Sequence, residues 1–233
     1  MTVVFADREE AGRQLAARLK HLAGQPNLVV LGLPRGGVPV AAEVATALGG
    51  LLDVLVVRKL GLPGQEELAM GAVASGGVRV INTEVVDAVG IPQNVIDDVT
   101  ARERREVERR EKAYRGDRPF PDLRNATVVL VDDGVATGST MLAGIRALRQ
   151  HHPATLVAAA PVMSHSARLA ISRESDACVA VATPEPFYGV GQWYRDFSQT
   201  SDAEVIALLD RAAAARPRVE GRAGNEVAGA SHS

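Results

Sequence analysis

The segment VVLVDDGVATGST, Val128 to Thr140, gathers two carboxylates and three hydroxyls in a short space. Four apolar residues lead straight into Asp132 and Asp133, and small residues follow as far as Thr140. Such an apolar run predicts a buried strand. Two like charges at its end are costly if nothing pairs with them. Side-chain alternation along the strand predicts that Asp132 and Asp133 face opposite sides. In an open α/β sheet, ligands bind in the crevice beyond the carboxyl ends of the strands. Carboxylates placed there can accept hydrogen bonds from sugar hydroxyls or hold a metal. The turn from Gly134 to Thr140 enters a helix, so its backbone N–H groups and the helix N-terminus favour an anion. Thr137, Ser139 and Thr140 add hydroxyl donors. Carboxylates for a diol beside a nest for a phosphate describe a ribose 5-phosphate site. The plainer reading is a βα turn whose Asp and Thr residues cap the next helix. Either aspartate alone fits that reading; the whole string is more specific.

Two further segments put charge at strand ends. In LGLPRGGVPVAAEVA, the paired glycines Gly36 and Gly37 beside Arg35 let backbone approach an anion closely, or simply make a tight turn. In VLVVRKLGLPGQEELA, Arg58 and Lys59 follow four apolar residues. Two cations there can meet a diphosphate, or can be an ordinary solvated pair. Aromatic residues make up only 3% of the chain, yet Phe187, Tyr188, Trp193, Tyr194 and Phe197 fall in one stretch among Pro and Gly. They suit stacking on a planar ligand, or fastening the C-terminal segment to the core. The histidines show no metal-ligand spacing, and Cys178 sits in an apolar run as a small core residue.

The Val128–Thr140 string resembles the phosphoribosyl pyrophosphate signature of the type I phosphoribosyltransferases: four hydrophobic residues, two acids, a short variable piece, then Thr-Gly-small-Thr. The resemblance runs from about Leu28 to Phe197 and is closest to bacterial phosphoribosyltransferase-like proteins with PRGG and WYxDF elements. It implies an α/β fold, an open, mostly parallel sheet flanked by helices, with a hood from the C-terminal region. It implies transfer of ribose 5-phosphate from phosphoribosyl pyrophosphate to a nitrogen of a nucleobase-like acceptor, with release of pyrophosphate. Val135, Ala136, Thr137, Gly138, Ser139 and Thr140 would hold the 5-phosphate, and Asp132 and Asp133 the ribose. Arg35, Gly36 and Gly37 would form a pyrophosphate loop, in this family often built on a strained or cis peptide. Arg58 would join them, with Lys59 as the basic residue of the reaction. Gly61 to Ala69 would be a mobile loop closing over the reactants. Phe187 or Trp193 would stack on the acceptor. Mg²⁺ would bridge the diphosphate and the ribose hydroxyls, with Asp132 and Asp133 as candidate ligands. A homodimer is the common assembly. The same fold also serves non-catalytic or regulatory proteins that bind phosphoribosyl pyrophosphate or nucleotides. Arg58, Lys59 and the lack of a helix-turn-helix extension favour the enzyme.

These residues need a scaffold. Buried strands are predicted at Asn27–Pro34, Leu52–Val57, Thr127–Asp133, Thr155–Val162 and Ala177–Thr183. Helical patterns lie at Arg8–Leu22, Val38–Leu48, Thr140–Gln150 and His165–Ser172, an alternation that argues an open α/β sheet. Gly76-Gly77 predicts a hairpin within Gly71–Asn82. Pro92–Gly116 predicts a solvated helix with ion pairs Glu106–Arg110 and Glu108–Lys112. A last helix is expected at Asp202–Ala214. Residues 1–214 then form one domain, and the Arg-, Gly- and Ala-rich segment 215–233 a disordered tail. Lys and Arg total 26 against 28 Asp and Glu, a formal charge of −2, which argues against nucleic-acid or membrane-surface binding. One cysteine, no apolar run near the ~20 residues of a membrane span and no secretory layout at the start predict a cytoplasmic protein.

Overall fold

The computed structural model describes residues 4–215. In chain order its elements are α1 (Arg8–Arg18), β1 (Leu28–Gly32), α2 (Gly37–Leu48), β2 (Leu51–Val54), β3 (Val57–Leu62), β4 (Gln65–Ala74), β5 (Val78–Ile81), α3 (Thr83–Val89), α4 (Gln93–Arg115), β6 (Thr127–Val131), α5 (Ser139–Arg149), β7 (Thr155–Val162), α6 (His165–Ser172), β8 (Ala177–Ala182) and α7 (Asp202–Ala214). The apolar runs form a parallel five-stranded sheet in the order β2-β1-β6-β7-β8. Both faces are covered, which is why the strands are apolar throughout. Leu28, Val30, Val129 and Val131 face a core shared with α2 and α7. Their neighbours Val29, Leu31, Val128 and Leu130 face a second core shared with α5. The expected α/β class and mostly parallel sheet are what the chain forms.

Register places the loops after β1 and β6 side by side. Gly32 pairs with Val131, so β1 and β6 end level. The Leu33 N–H donates to the Val131 carbonyl at 2.8 Å, tying the Pro34–Gly37 loop to the start of the aspartate turn.

The expected strand Leu52–Val57 is not one strand. β2 ends at Val54, the chain crosses through Leu55 and Val56, and β3 begins a separate antiparallel sheet, β3-β4-β5. The crossing itself is buried, with Leu55 in one core and Val56 in the other. No polar residue therefore marks the break. The segment expected as a mobile loop, Gly61–Ala69, is mostly hairpin: Leu62 pairs with Gln65 across Pro63-Gly64, and Gly64 takes φ 81°. The hairpin predicted at Gly76-Gly77 is present, joining β4 to β5, with φ of 77° and 76° that glycine adopts without a Cβ penalty.

α4 is amphipathic. It buries Ile96, Val99, Val107 and Tyr114, and its Arg115 reaches Asp53 of β2 at 2.9 Å, both side chains buried. Glu106 pairs with Arg110 as expected and also with Arg109, and these hydrogen bonds lower its pKa to about 2. The expected Glu108–Lys112 pair is not among the ion pairs of the described residues. The tail expected from Ala215 onward lies outside the described residues after that position. Among the described residues, no helix is long and apolar enough to cross a membrane.

Candidate active site

The turn after β6 is held from several sides. Val135 is buried; its N–H donates to the Val162 carbonyl, and its own carbonyl accepts from Ser164 N–H, both at 2.9 Å. The Ser164 hydroxyl donates to the Ala136 carbonyl at 2.6 Å. β7 and the cap of α6 thus set the outer path of the turn. Gly138 caps α5 at φ 81°. The N–H groups of Ala136, Thr137 and Gly138 have no acceptor among the described residues. Thr137 and Ser139 hydroxyls lie 3.3 Å apart on the exposed side, and Thr140 is exposed beside them. Three open N–H groups, three hydroxyls and a helix N-terminus make a site for an anion the size of a phosphate.

β6 stops at Val131, one residue before the aspartates. Strand alternation therefore does not separate them, contrary to expectation. The Asp132 carboxylate accepts the Asp133 N–H at 2.9 Å, and burial together with the Asp133 charge pushes the Asp132 pKa well above its ordinary value. Asp133 is also pushed up by burial, but Arg8 opposes the shift.

Arg8 was not visible as a site residue in the sequence. It opens α1, 125 positions from Asp133, and its Nε donates to Asp133 Oδ2 at 2.8 Å. The one local hint is that a cation in the first turn of a helix opposes the helix dipole. Tyr194 is a second such residue: its hydroxyl donates to the Asp133 carbonyl at 2.5 Å. Burial raises the Tyr194 pKa, so the phenol stays protonated.

The Pro34–Gly37 loop closes on the same aspartates. The Pro34–Arg35 peptide is cis. A Cβ on Gly36 would lie 2.0 Å from Asp133 Oδ2, and one on Gly37 would lie 2.7 Å from the Val131 carbonyl oxygen. Only glycine permits this approach at either position. Arg35 is partly exposed, 4.0 Å from Asp202 at the start of α7. Asp202 also accepts from the Tyr114 hydroxyl at 2.7 Å; burial and this carboxylate raise the Tyr114 pKa to about 12.

Arg58 and Lys59 part company. Successive side chains of β3 point to opposite sides. Arg58 turns to α4 and pairs with the buried Glu103 at 2.8 Å, rather than joining the Pro34–Gly37 loop as expected. Lys59 faces the other way, lining a cavity of about 440 Å³ with Ser139, Asn82 and Arg146. It therefore borders the turn after β6 at Ser139.

The segment from Thr183 to Ser201 forms a strap across the sheet's carboxyl edge. It pairs with the chain's start through Phe5 N–H to the Trp193 carbonyl, 2.8 Å, and Arg195 N–H to the Phe5 carbonyl, 2.9 Å. Val190 presses on Gly134, where a Cβ would meet its Cγ1 at 2.3 Å. Trp193, expected as a stacking ring, is only 8% exposed, packed with Phe5 and Tyr194 and stacked on Phe187 at 6.3 Å. It fastens the strap, the plainer of the two readings. Phe187 is half-buried, and Tyr188 stands 84% exposed. Among the described residues, no group of three or more His, Cys, Asp or Glu could form a metal cage.

A family profile for the phosphoribosyl transferase domain matches residues 6–183. The chain belongs to this family. The matched range takes in Arg8, the Pro34–Gly37 loop, Lys59 and the aspartate turn, and it ends where the strap begins. Two curated relatives, from two strains of Mycobacterium tuberculosis and each named "Putative phosphoribosyl transferase", are 48% identical over 209 residues, covering 90% of this chain. The chain spans about half the length of these relatives, 47%. The crystal structure of TT1426 from Thermus thermophilus is 43% identical, with a TM-score of 0.81, covering 88% of this chain and 97% of that one. That structural likeness covers more of the chain than the family profile does.

Proposed function

We propose that this phosphoribosyl transferase domain is a working enzyme that moves ribose 5-phosphate from phosphoribosyl pyrophosphate to a nitrogen of a nucleobase-like acceptor. The carrying observation is the meeting of Asp132 and Asp133 with the glycine loop at Gly36-Gly37 on one side and the open N–H groups of Ala136–Gly138 on the other. The 5-phosphate sits on the turn Val135–Thr140. The ribose hydroxyls donate to Asp132 and Asp133. The diphosphate lies against Gly36, Gly37 and Arg35, with Lys59 approaching from the hairpin side.

The acceptor nitrogen bonds to C1 as the C1–O bond to the diphosphate breaks, and the bonding electrons leave with pyrophosphate. Cationic and N–H groups aimed at the leaving diphosphate lower the barrier, and the strap and N-terminal segment limit water. A proton leaves the acceptor nitrogen, and one of the two aspartates is the group we assign to take it. Asp132 Oδ1 and Asp133 Oδ2 already hold protein donors. That donor set fits Mg²⁺ carried in by the diphosphate and largely water-ligated, rather than a resident ion in a protein cage. Bound there, the ion would neutralise charge on the diphosphate.

Titration calorimetry with phosphoribosyl pyrophosphate, with and without Mg²⁺, tests binding. Pyrophosphate release across purines, pyrimidines and non-nucleobase amines tests transfer. Mg²⁺-dependent binding with release for one acceptor class supports the proposal. Binding without release under every acceptor makes the domain a sensor of phosphoribosyl pyrophosphate. Phe187 is the ring we assign to the acceptor side, and a raised acceptor KM in Phe187→Ala is the expected sign.

A further inference from the structure

Asp133 is gripped at two points by segments far away in sequence. Arg8 Nε holds its Oδ2 at 2.8 Å, and Tyr194 holds its carbonyl. The Arg8 and Asp133 side chains are only 12% and 14% exposed, so the pair is shielded from water. Gly36 closes the third side: its absent Cβ leaves room for Asp133 Oδ2, and that same vacant position is 3.2 Å from Arg8 Nε. Arg8 does more than hold Asp133. Its Nη1 donates to the Ser198 carbonyl at 2.7 Å, and its guanidinium lies 4.1 Å from the centroid of the Phe197 ring. Both partners belong to the strap. A planar fork with several fixed donors is needed to serve a carboxylate, a carbonyl and a ring at once, and arginine supplies it where lysine does not.

We propose that Arg8 is a positioning residue that orients Asp133 toward the ribose hydroxyls and, through Ser198 and Phe197, couples that carboxylate to the strap on the acceptor side. The inference rests on the ribose role proposed for Asp133. In this proposal Oδ2 is committed to Arg8 and Oδ1 is left for the substrate. Loss of Arg8 frees the carboxylate to rotate and releases the strap at Ser198. Both substrates should then feel a change at a residue touching neither.

The test compares Arg8→Gln, Arg8→Lys and Phe197→Leu in the full chain. Ribose 5-phosphate and phosphoribosyl pyrophosphate are titrated calorimetrically, and acceptor KM and kcat are read from pyrophosphate release. Arg8→Gln should weaken binding of both ribose ligands by roughly 10- to 100-fold, the scale of one lost charge-assisted hydrogen bond. Arg8→Lys keeps the charge beside Asp133 but not the fork. It should recover most ribose 5-phosphate affinity while acceptor KM stays raised by about 10-fold. Phe197→Leu leaves the Arg8–Asp133 pair in place, so it should raise acceptor KM alone. A merely structural Arg8 predicts no such split, only a lower Tm. Unchanged ribose 5-phosphate affinity in a folded Arg8→Gln, or identical behaviour of the lysine and glutamine variants, overturns the proposal. Failure of the unaltered protein to bind either ribose ligand overturns the proposed function itself, and this inference with it.

Discussion

The turn after β6 and the hairpin sheet β3-β4-β5 border one another, yet they are built on opposite terms. The turn is local: strand, two aspartates, small residues and helix follow in one short stretch, and neighbouring strands only brace it. The hairpin sheet is defined by what packs against it. Arg58 and Lys59 are adjacent and chemically alike, but Glu103 of α4 claims one while the other lines the cavity beside Ser139. Chemistry written into a contiguous turn survives translation from sequence to structure. Chemistry assigned to a strand depends on which face each residue takes.

The largest effect should come from the turn. Asp132→Asn with Asp133→Asn is expected to abolish detectable binding of phosphoribosyl pyrophosphate in calorimetry. Asp132→Asn alone should also change stability with pH. The folded protein raises the Asp132 pKa above its ordinary 3.8, so this group's contribution is full below that value and is lost as pH rises through the higher folded pKa. Asp132→Asn should therefore gain in Tm on the unaltered protein as pH climbs above about 4, while losing ligand affinity. Equal Tm differences at about pH 4 and about pH 8 would show that Asp132 carries no such penalty.

Gly36→Ala should come next. Gly36 has φ −62°, which alanine adopts freely, so any effect is steric. Its Cβ would displace the Asp133 carboxylate, and overpacking of this kind costs about 1–3 kcal/mol. Phosphoribosyl pyrophosphate affinity should fall further than Tm does. Similar ligand affinity would mean that the two loops separate without consequence.

Lys59→Ala against Arg58→Ala then probes the hairpin side directly. Lys59→Ala should weaken phosphoribosyl pyrophosphate by about 10-fold and ribose 5-phosphate less, because the diphosphate adds charge that ribose 5-phosphate lacks although Lys59 also borders Ser139. Arg58→Ala should leave both ligands alone and cost under ~1 kcal/mol, since the pair is partly exposed and Arg102 still reaches Glu103 at 3.0 Å. The reverse pattern would mean that the strand's two faces have been assigned the wrong way round.

The sequence was most readable where residues act on their neighbours. The parallel strands, the helices beginning near Arg8, Val38, Thr140, His165 and Asp202, and the Gly76-Gly77 hairpin follow from periodicity and turn chemistry. The β2–β3 break was hidden because Leu55 and Val56 are buried in two cores and leave the apolar run unbroken. α3 was missed because its seven residues make only about two turns, too few for a helical period to show, although Val85 and Val86 pack against the core. Arg8 and Tyr194 could not be found from spacing, because they meet Asp133 only after α1 and the strap fold together at the turn after β6. The strap carried an aromatic signal, but composition alone did not separate Trp193, which packs, from Tyr188, which does not.

β3 and β4 keep a regular ladder from Val57–Ala74 through Leu60–Gly71, and the register then shifts on both sides of Gly61. The phase that sends Lys59 one way and Arg58 the other is thus set near the core, before the irregularity. The hairpin beyond Gly61 is free to change length, or to accept grafted residues at the exposed Pro63-Gly64 tip, without rotating either cation. The shift behaves like a universal joint: the outer arm can be remodelled for a new partner while the inner end keeps its aim.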